Sequence, residues 1–186
     1  MEERQLIEGC IRGDENARKV MYELHAPSMM SVCLRYVCNR DTARDLLHDG
    51  FVKLFTKIHT YSGVGSFSGW VRRIFVTTAL EHLRKSQKWQ YGVDVEIADP
   101  QEEEGPMISL FEHLSADDLF DFVTLLPIKY RTIFNMHAIE RYTHKEIAQK
   151  LGISENTVRS QYMRAKKMLQ KTVTQACFTP EEKRES

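Results

Sequence analysis

In the stretch EIAQKLGISENTVRSQYMRAKKML (residues 146–169), side chains suited to nucleic acid recur at helical spacing: Asn156, Arg159, Ser160, Met163, Arg164 and Lys167. Asn and Arg present paired hydrogen-bonding groups to base edges, Ser meets phosphate oxygens, and Lys and Arg neutralise the DNA backbone. A solvated helix face can have the same composition, so the opposite face has to decide. There Val158, Tyr162, Ala165 and Leu169 fall at i, i+4, i+7 and i+11, which is one apolar stripe. Asn156, Ser160, Met163 and Lys167 lie across the helix from it, with Arg159 and Arg164 on the flanks.

The elements that must position this face are also legible. Thr143 with Glu146 three residues on reads as a capping box, starting a short helix near His144 that buries Ile147, Ala148 and Leu151. Gly152 supplies a left-handed turn, Ser154 caps the next helix, and Ile153 fills the angle between the two. The pattern is a helix-turn-helix, a unit whose second helix enters the major groove by its N-terminal residues.

A formal net charge of zero for the whole chain argues against nucleic acid only until the chain is divided. Residues 141–172 carry eight Lys and Arg against Glu146 and Glu155, a net of plus six. Residues 94–121 carry ten acids and no Lys or Arg, a stretch that phosphate repels. Within it VDVEIADPQEEEGP joins a charge run to Pro100, Gly105 and Pro106 without periodicity, and reads as a flexible acidic linker. The expected fold is all-α: two small helical domains joined by that linker, the C-terminal one a helix-turn-helix. The expected boundaries are 1–90, 91–113 for the linker, 114–172, and a frayed tail at 173–186. Before the linker only Pro27 breaks a run of helix formers, so several helices with short turns are expected. After it, helices are expected over 117–126 and 128–139, with Pro127 at the start of the second.

Cys10, Cys33, Cys38 and Cys177 are too scattered for a zinc finger, and the seven His show no metal-binding pairing. Phosphate loops, dinucleotide fingerprints and nucleophile elbows are absent from the sequence. The expectation is therefore reduced thiols, no metal, no cofactor and no enzymatic activity. The opening MEERQLIEGC lacks the charged and apolar regions of a secretory signal, and no apolar run approaches membrane-spanning length. A cytoplasmic protein without membrane insertion is expected.

In the N-terminal half, RDLLHDGFVKLFTKI has two readable faces. Leu47, Phe51, Leu54, Phe55 and Ile58 form a wide buried one, while Asp45, His48, Asp49 and Val52 stand at i, i+3, i+4 and i+7 as a ridge. Such a ridge is either solvated surface or a docking surface. The loop YSGVGSFSGW follows, bearing Tyr61, Phe67 and Trp70, and then VRRIFVTTALEHLRK with Arg72, Arg73, Arg84 and Lys85. Aromatics beside cations suit single-stranded nucleic acid, since bases stack on rings while cations follow phosphate. The alternative, stronger for Trp70, is that these rings anchor a turn in the core.

In order and spacing these segments resemble the bacterial sigma-70 family, specifically its two-domain extracytoplasmic-function group, over residues 5–171. ARDLLHDGFVKLF is similar to that family's core-polymerase-binding helix, FSGWVRRIFVTTALEHLRK to its minus-ten segment, and LPIKYRTIFNM, EIAQKLGIS and TVRSQYMRAKKML to its fourth conserved region. The resemblance implies a sigma factor that directs core RNA polymerase to promoters and binds and melts their DNA. It implies core-polymerase contact through Asp45, His48, Asp49 and Val52. For the single-stranded minus-ten element it implies Tyr61, Ser62, Gly63, Ser66, Trp70, Arg72, Arg73, Thr77 and Arg84. For the double-stranded minus-thirty-five element it implies Arg131, Thr143, Asn156, Thr157, Arg159, Ser160, Met163, Arg164 and Lys167. An anti-sigma factor is a further implied partner. The chain departs from the family pattern at His48, Asp49 and Gly50, where Gln, Glu and Val are common. It departs again at Phe75, Thr77 and Glu81, where Ala, Asn and Asp are usual, so the packing near Phe75 and the minus-ten preference are expected to differ. Two other readings share parts of the sequence. One is a receiver-linked transcription factor with the same I-A-x-x-L-x-I-S-x-x-T-V signature, which would need alternating strands; the other is an interaction module that never touches DNA.

Overall fold

Asp14, Asn39 and Ser66 each turn a side-chain oxygen onto a backbone N–H three residues ahead, on Ala17, Thr42 and Gly69. Each satisfies one of the donors that a helix start leaves free. The helices they begin are α2 (Glu15–Val37), α3 (Arg40–Lys57) and α4 (Phe67–Lys85), preceded by α1 (Glu3–Ile11). The computed structural model describes residues 2–86 and 115–177, and the chain divides into two units, Met1–Lys88 and Trp89–Ser186. The segment expected as the acidic linker, 91–113, and residues 178–186 lie outside the described residues. Among the described residues every element is helical, and no helix is long and apolar enough to cross a membrane.

Pro27, expected as a breaker, sits inside α2 without ending it. Its ring removes one backbone donor, and it stands on an exposed side of the helix. Met21 and His25 before it, and Met29, Val32 and Cys33 after it, are all buried and hold both halves in one core. Cys38 stops the helix in the left-handed conformation, at φ 51°. Cys10 and Cys33 are buried free thiols, and burial pushes the Cys33 thiol up to about 12, where it is inert as a nucleophile.

The departure at Phe75 has a structural counterpart. Its ring is fully buried and lies directly on Gly50 of α3, where the missing side chain leaves room for it. A large residue on α4 thus meets the smallest one on α3.

In the second unit, α5 (Ala116–Thr124) opens with a Ser115–Asp118 capping box and α6 (Ile128–Phe134) follows Pro127. The helix expected to run to 139 changes at Asn135 into a wide π-helical turn, Asn135–Ile139. Asn135 and Met136, at the start of that turn, are both fully buried. Two further helices follow among the described residues, α7 (His144–Leu151) and α8 (Glu155–Cys177). Val123, Leu126, Tyr130 and Phe134 pack on Ala165 and Leu169 of α8. Val173 is also fully buried, so α8 continues as packed helix into the segment expected to fray from 173.

Candidate nucleic-acid interface

The helix-turn-helix has the caps and the turn that its sequence implies, although of the three α7 residues expected to be buried only Ile147 is, Ala148 and Leu151 being half-buried. Thr143 and Glu146 form the reciprocal capping box of α7, with Glu146 N–H donating to Thr143 Oγ1 at 3.2 Å and Thr143 N–H to Glu146 Oε2 at 2.8 Å. Gly152 ends α7 at φ 70°, and Ser154 Oγ accepts from Thr157 N–H at 3.0 Å to start α8. Ile147, Val158, Ala165 and Leu169 are fully buried, which fixes the rotation of α8. Asn156, Arg159 and Lys167 are consequently exposed, and Ser160, Met163 and Arg164 are half-exposed. Ser160 donates to Thr157 C=O at 3.2 Å, and Arg159 lies 3.8 Å from Glu155, one turn back on its own helix. The hydroxyls of Thr143 and Thr157 are engaged in the caps, Thr143 with Glu146 at 2.8 Å and Thr157 with Ser154 at 2.7 Å. In this geometry those two threonines position helix ends first.

Arg131 is placed differently from the expected reader. It is 8% exposed, and its Nη1 donates to the carbonyls of Leu126 at 2.9 Å and Thr124 at 3.2 Å. Thr124 is the last residue of α5 and Leu126 follows its C-cap, so the guanidinium supplies a buried donor to the turn that leaves that helix. The sequence predicted a helix here, but not which face of it Arg131 would occupy.

A cluster absent from the sequence reading lies behind the recognition helix. The His137 and His144 rings are 4.3 Å apart, with Tyr162 edge-on to His137 at 4.5 Å. His137 Nδ1 is bonded to Tyr142 C=O at 2.8 Å. Burial lowers the affinity of His144 for a proton, and His137 and Arg159 lower it further against a smaller opposing effect of Glu155. The first-turn position of His144 in α7 adds the positive end of the helix dipole. Because the folded chain binds this proton less readily than the unfolded one, the stabilisation is complete above about pH 6.5. It declines as the pH falls from there toward the folded value. Unfolding of the second unit is expected to shift to lower temperature between pH 7 and pH 5, and His144→Gln should remove that part of the dependence. His25 in the first unit, also lowered by burial, shifts its own unit in the same direction, so the two are separated by following each imidazole by NMR.

In the first unit Asp45, His48, Asp49 and Val52 are all exposed, Val52 at 52%, while Leu46, Leu47, Gly50, Phe51 and Leu54 of the same helix face the core. The ridge therefore stands as one surface. Phe55, expected in the core, is half-buried, with the Arg18 guanidinium 5.6 Å from its ring centre.

The loop before α4 is more ordered than its glycines suggest. Tyr61 packs edge-on against buried Phe67 at 5.1 Å and tilts onto Trp70 at 5.6 Å, and its hydroxyl donates to Gly65 C=O at 2.7 Å. Trp70 stacks on Phe67 at 5.7 Å, so the three rings form the base of the loop. Gly63 and Gly65 both take left-handed conformations, at φ 77° and 78°. Between them Val64 is pushed out to 84% exposure. It was missed in the sequence, although an aliphatic residue flanked by two glycines in a turn is a readable signal. Ser62, Gly63 and Ser66 are exposed around it, with Ser66 capping α4. On α4 itself Arg73, Thr77 and Arg84 are exposed and Arg72 is half-buried. Glu81 Oε2 receives a 2.6 Å hydrogen bond from Lys53 Nζ on α3.

Comparison with known proteins accords with this arrangement. Residues 21–90 match the family model for sigma-70 region 2, and residues 117–169 match the model for sigma-70 region 4. The chain is 27% identical over 150 residues to the RNA polymerase sigma factor SigV of Bacillus subtilis, covering 81% of this chain and 87% of that protein. It is 24% identical over 184 residues to the ECF RNA polymerase sigma-E factor of Haemophilus influenzae, covering 92% of this chain and 95% of the relative. Among solved structures, the sigma factor RpoE of Bartonella quintana, crystallised with the anti-sigma factor NepR, has a similar fold. Its TM-score is 0.51 at 18% identity, over 84% of this chain and 96% of that one. The two units with their helix-turn-helix, matched region by region, make this chain a member of the sigma-70 family of RNA polymerase sigma factors, in its extracytoplasmic-function group, which direct transcription initiation at promoters.

Proposed function

We propose that the three exposed surfaces divide the work of initiation. The ridge of Asp45, His48, Asp49 and Val52 docks on a basic surface of core RNA polymerase. The 61–66 loop and α4, through Arg72, Arg73, Thr77 and Arg84, hold the single-stranded minus-ten element. The exposed side of α8 reads the minus-thirty-five duplex, with Asn156, Arg159, Ser160 and Met163 toward base edges and Arg164 and Lys167 on the backbone. The observation that carries this reading is the division of α8, where Val158, Ala165 and Leu169 of the apolar stripe are fully buried and Tyr162 is half-buried, while Asn156, Arg159 and Lys167 are exposed. The chain acts in the cytoplasm as a transcription factor with no catalysis of its own. An anti-sigma factor is its regulator, as the RpoE–NepR complex illustrates for a protein of similar fold.

With its ring packed on Phe67 and Trp70, Tyr61 supports the loop more than it offers a stacking face. Base capture then falls to the tip, where Val64 and the backbone of Gly63 and Gly65 are accessible. One reconstitution tests the whole reading: purified chain and core polymerase, with no other sigma factor, on templates carrying a library of minus-ten sequences. Promoter-dependent transcripts are expected, and exchanging residues 61–66 for the loop of another family member should change the preferred minus-ten sequence. Absence of transcripts from every template overturns the assignment; an unaltered preference returns the loop to a connector.

Arg159→Ala should lose about 1–3 kcal/mol on the preferred upstream element and relax selection at one base pair. Lys167→Ala should weaken all sequences alike and flatten the salt dependence. Uniform losses for both variants, measured by binding to a panel of upstream duplexes, would contradict this division of roles.

A further inference from the structure

At Gly50 and Phe75 the two helices α3 and α4 approach so closely that residue 50 has no room for a side chain. A Cβ placed on Gly50 would lie 2.2, 2.5 and 2.8 Å from Cε1, Cδ1 and Cζ of Phe75, far inside the roughly 3.5 Å at which carbon atoms attract. The ring has no free direction in which to retreat. It is fully buried and meets Phe51 edge-on at 5.2 Å, and Phe51 is itself flanked by Tyr22 at 4.6 Å and Phe55 at 6.0 Å. An added side chain at residue 50 must therefore move one helix relative to the other. A glycine inside a helix is locally unfavourable by about 1 kcal/mol against alanine, so the close approach is what offsets its cost.

The place of the contact gives it functional weight. Gly50 immediately follows Asp49 of the exposed ridge, and Phe75 lies midway between Arg73 and Thr77 on the exposed side of α4. On the outside of the same helix pair, the Lys53–Glu81 ion pair at 2.6 Å ties the helices a second time. Such an exposed pair adds little stability, so the inner contact is the one that sets the helix spacing. We propose that Gly50 and Phe75 are positioning residues: their contact sets the stance of the polymerase-facing ridge relative to the DNA-facing side of α4, and promoter opening depends on that stance. The inference rests on the assignment of the two helices under Proposed function.

The test uses the full chain bound to core polymerase, with Gly50→Ala, Gly50→Val, Phe75→Ala and the double variant Gly50→Val/Phe75→Ala. Three quantities are measured: the unfolding midpoint, affinity for core polymerase, and the rate of open-complex formation at saturating holoenzyme. Gly50→Ala is expected to keep core affinity within about threefold while slowing opening about tenfold, a split that simple destabilisation does not produce. The double variant should open DNA faster than Gly50→Val alone, because the bulk added on α3 refills the space vacated on α4. If Gly50→Val does not fold, recovery of a folded, initiating protein in the double variant supports the proposal equally. Opening at the unmodified rate by folded Gly50→Ala, or a double variant worse than both single ones, overturns it. The two levels are separable. Reversal of Asp45 and Asp49 that still weakens core binding, alongside an unaffected Gly50→Ala, sinks the inference alone; reversal without effect on core binding sinks the helix assignment beneath it.

Discussion

Changing both Asp45 and Asp49 to Lys is expected to lower affinity for core RNA polymerase on the order of a hundredfold, close to 2.7 kcal/mol. Both carboxylates are exposed, one turn apart on α3, and the Ala43, Leu46 and Leu47 side chains beneath them face the core. The substitutions therefore alter the charge of the ridge without touching packing. A basic partner surface that attracts two carboxylates would meet two ammonium groups instead, and like charges juxtaposed across an interface cost several kcal/mol. The neighbouring Val52, 52% exposed, supplies an apolar contact that the reversal leaves in place, so binding should weaken without disappearing. Titration of labelled core polymerase at two salt concentrations checks this: the loss should shrink as salt rises. Unchanged affinity with an unchanged unfolding midpoint would remove the ridge from the polymerase interface.

Arg131→Met is expected to destabilise the C-terminal unit by about 2–4 kcal/mol, with promoter selectivity unaltered in the protein that remains folded. The methionine fills much of the same volume but leaves the carbonyls of Thr124 and Leu126 without the donor they now share. Hydrogen bonds to a charged donor are worth roughly 1.5–3 kcal/mol each, and removal of a buried guanidinium recovers only part of that by relieving its desolvation. Thermal unfolding of the full chain, with a probe in each unit, should show the second unit melting earlier and the first unaffected. A variant of undiminished stability that binds the upstream element more weakly would restore Arg131 to the DNA surface.

The caps, the turn and the overall apolar stripe of the helix-turn-helix were legible because their signals are local. A capping box, a left-handed glycine and a Ser cap act over three or four positions, and the stripe from Val158 to Leu169 has a period that only a helix satisfies. The ridge on α3 was legible for the same reason. Two amphipathic halves and an opposed charge distribution likewise implied two helical domains. What depends on how one element folds back against another was not readable, whether the partner lies a few residues away or far along the chain. Arg131 looked like a cation for DNA, yet it is buried beneath the end of α5, because the carbonyls it caps become neighbours only when α5 and α6 fold together. Pro27 looked like a break, and buried side chains on both sides of it keep α2 whole. Tyr61 looked free to stack on a base, and Phe67 and Trp70 hold it. Gly50 and Phe75 looked like two unrelated departures, and packing makes them one contact. Sequence periodicity determines which face of a helix is apolar; only the tertiary structure decides what that face meets, because the partner atoms come from elsewhere in the chain and a steric fit of a few tenths of an ångström leaves no trace in spacing.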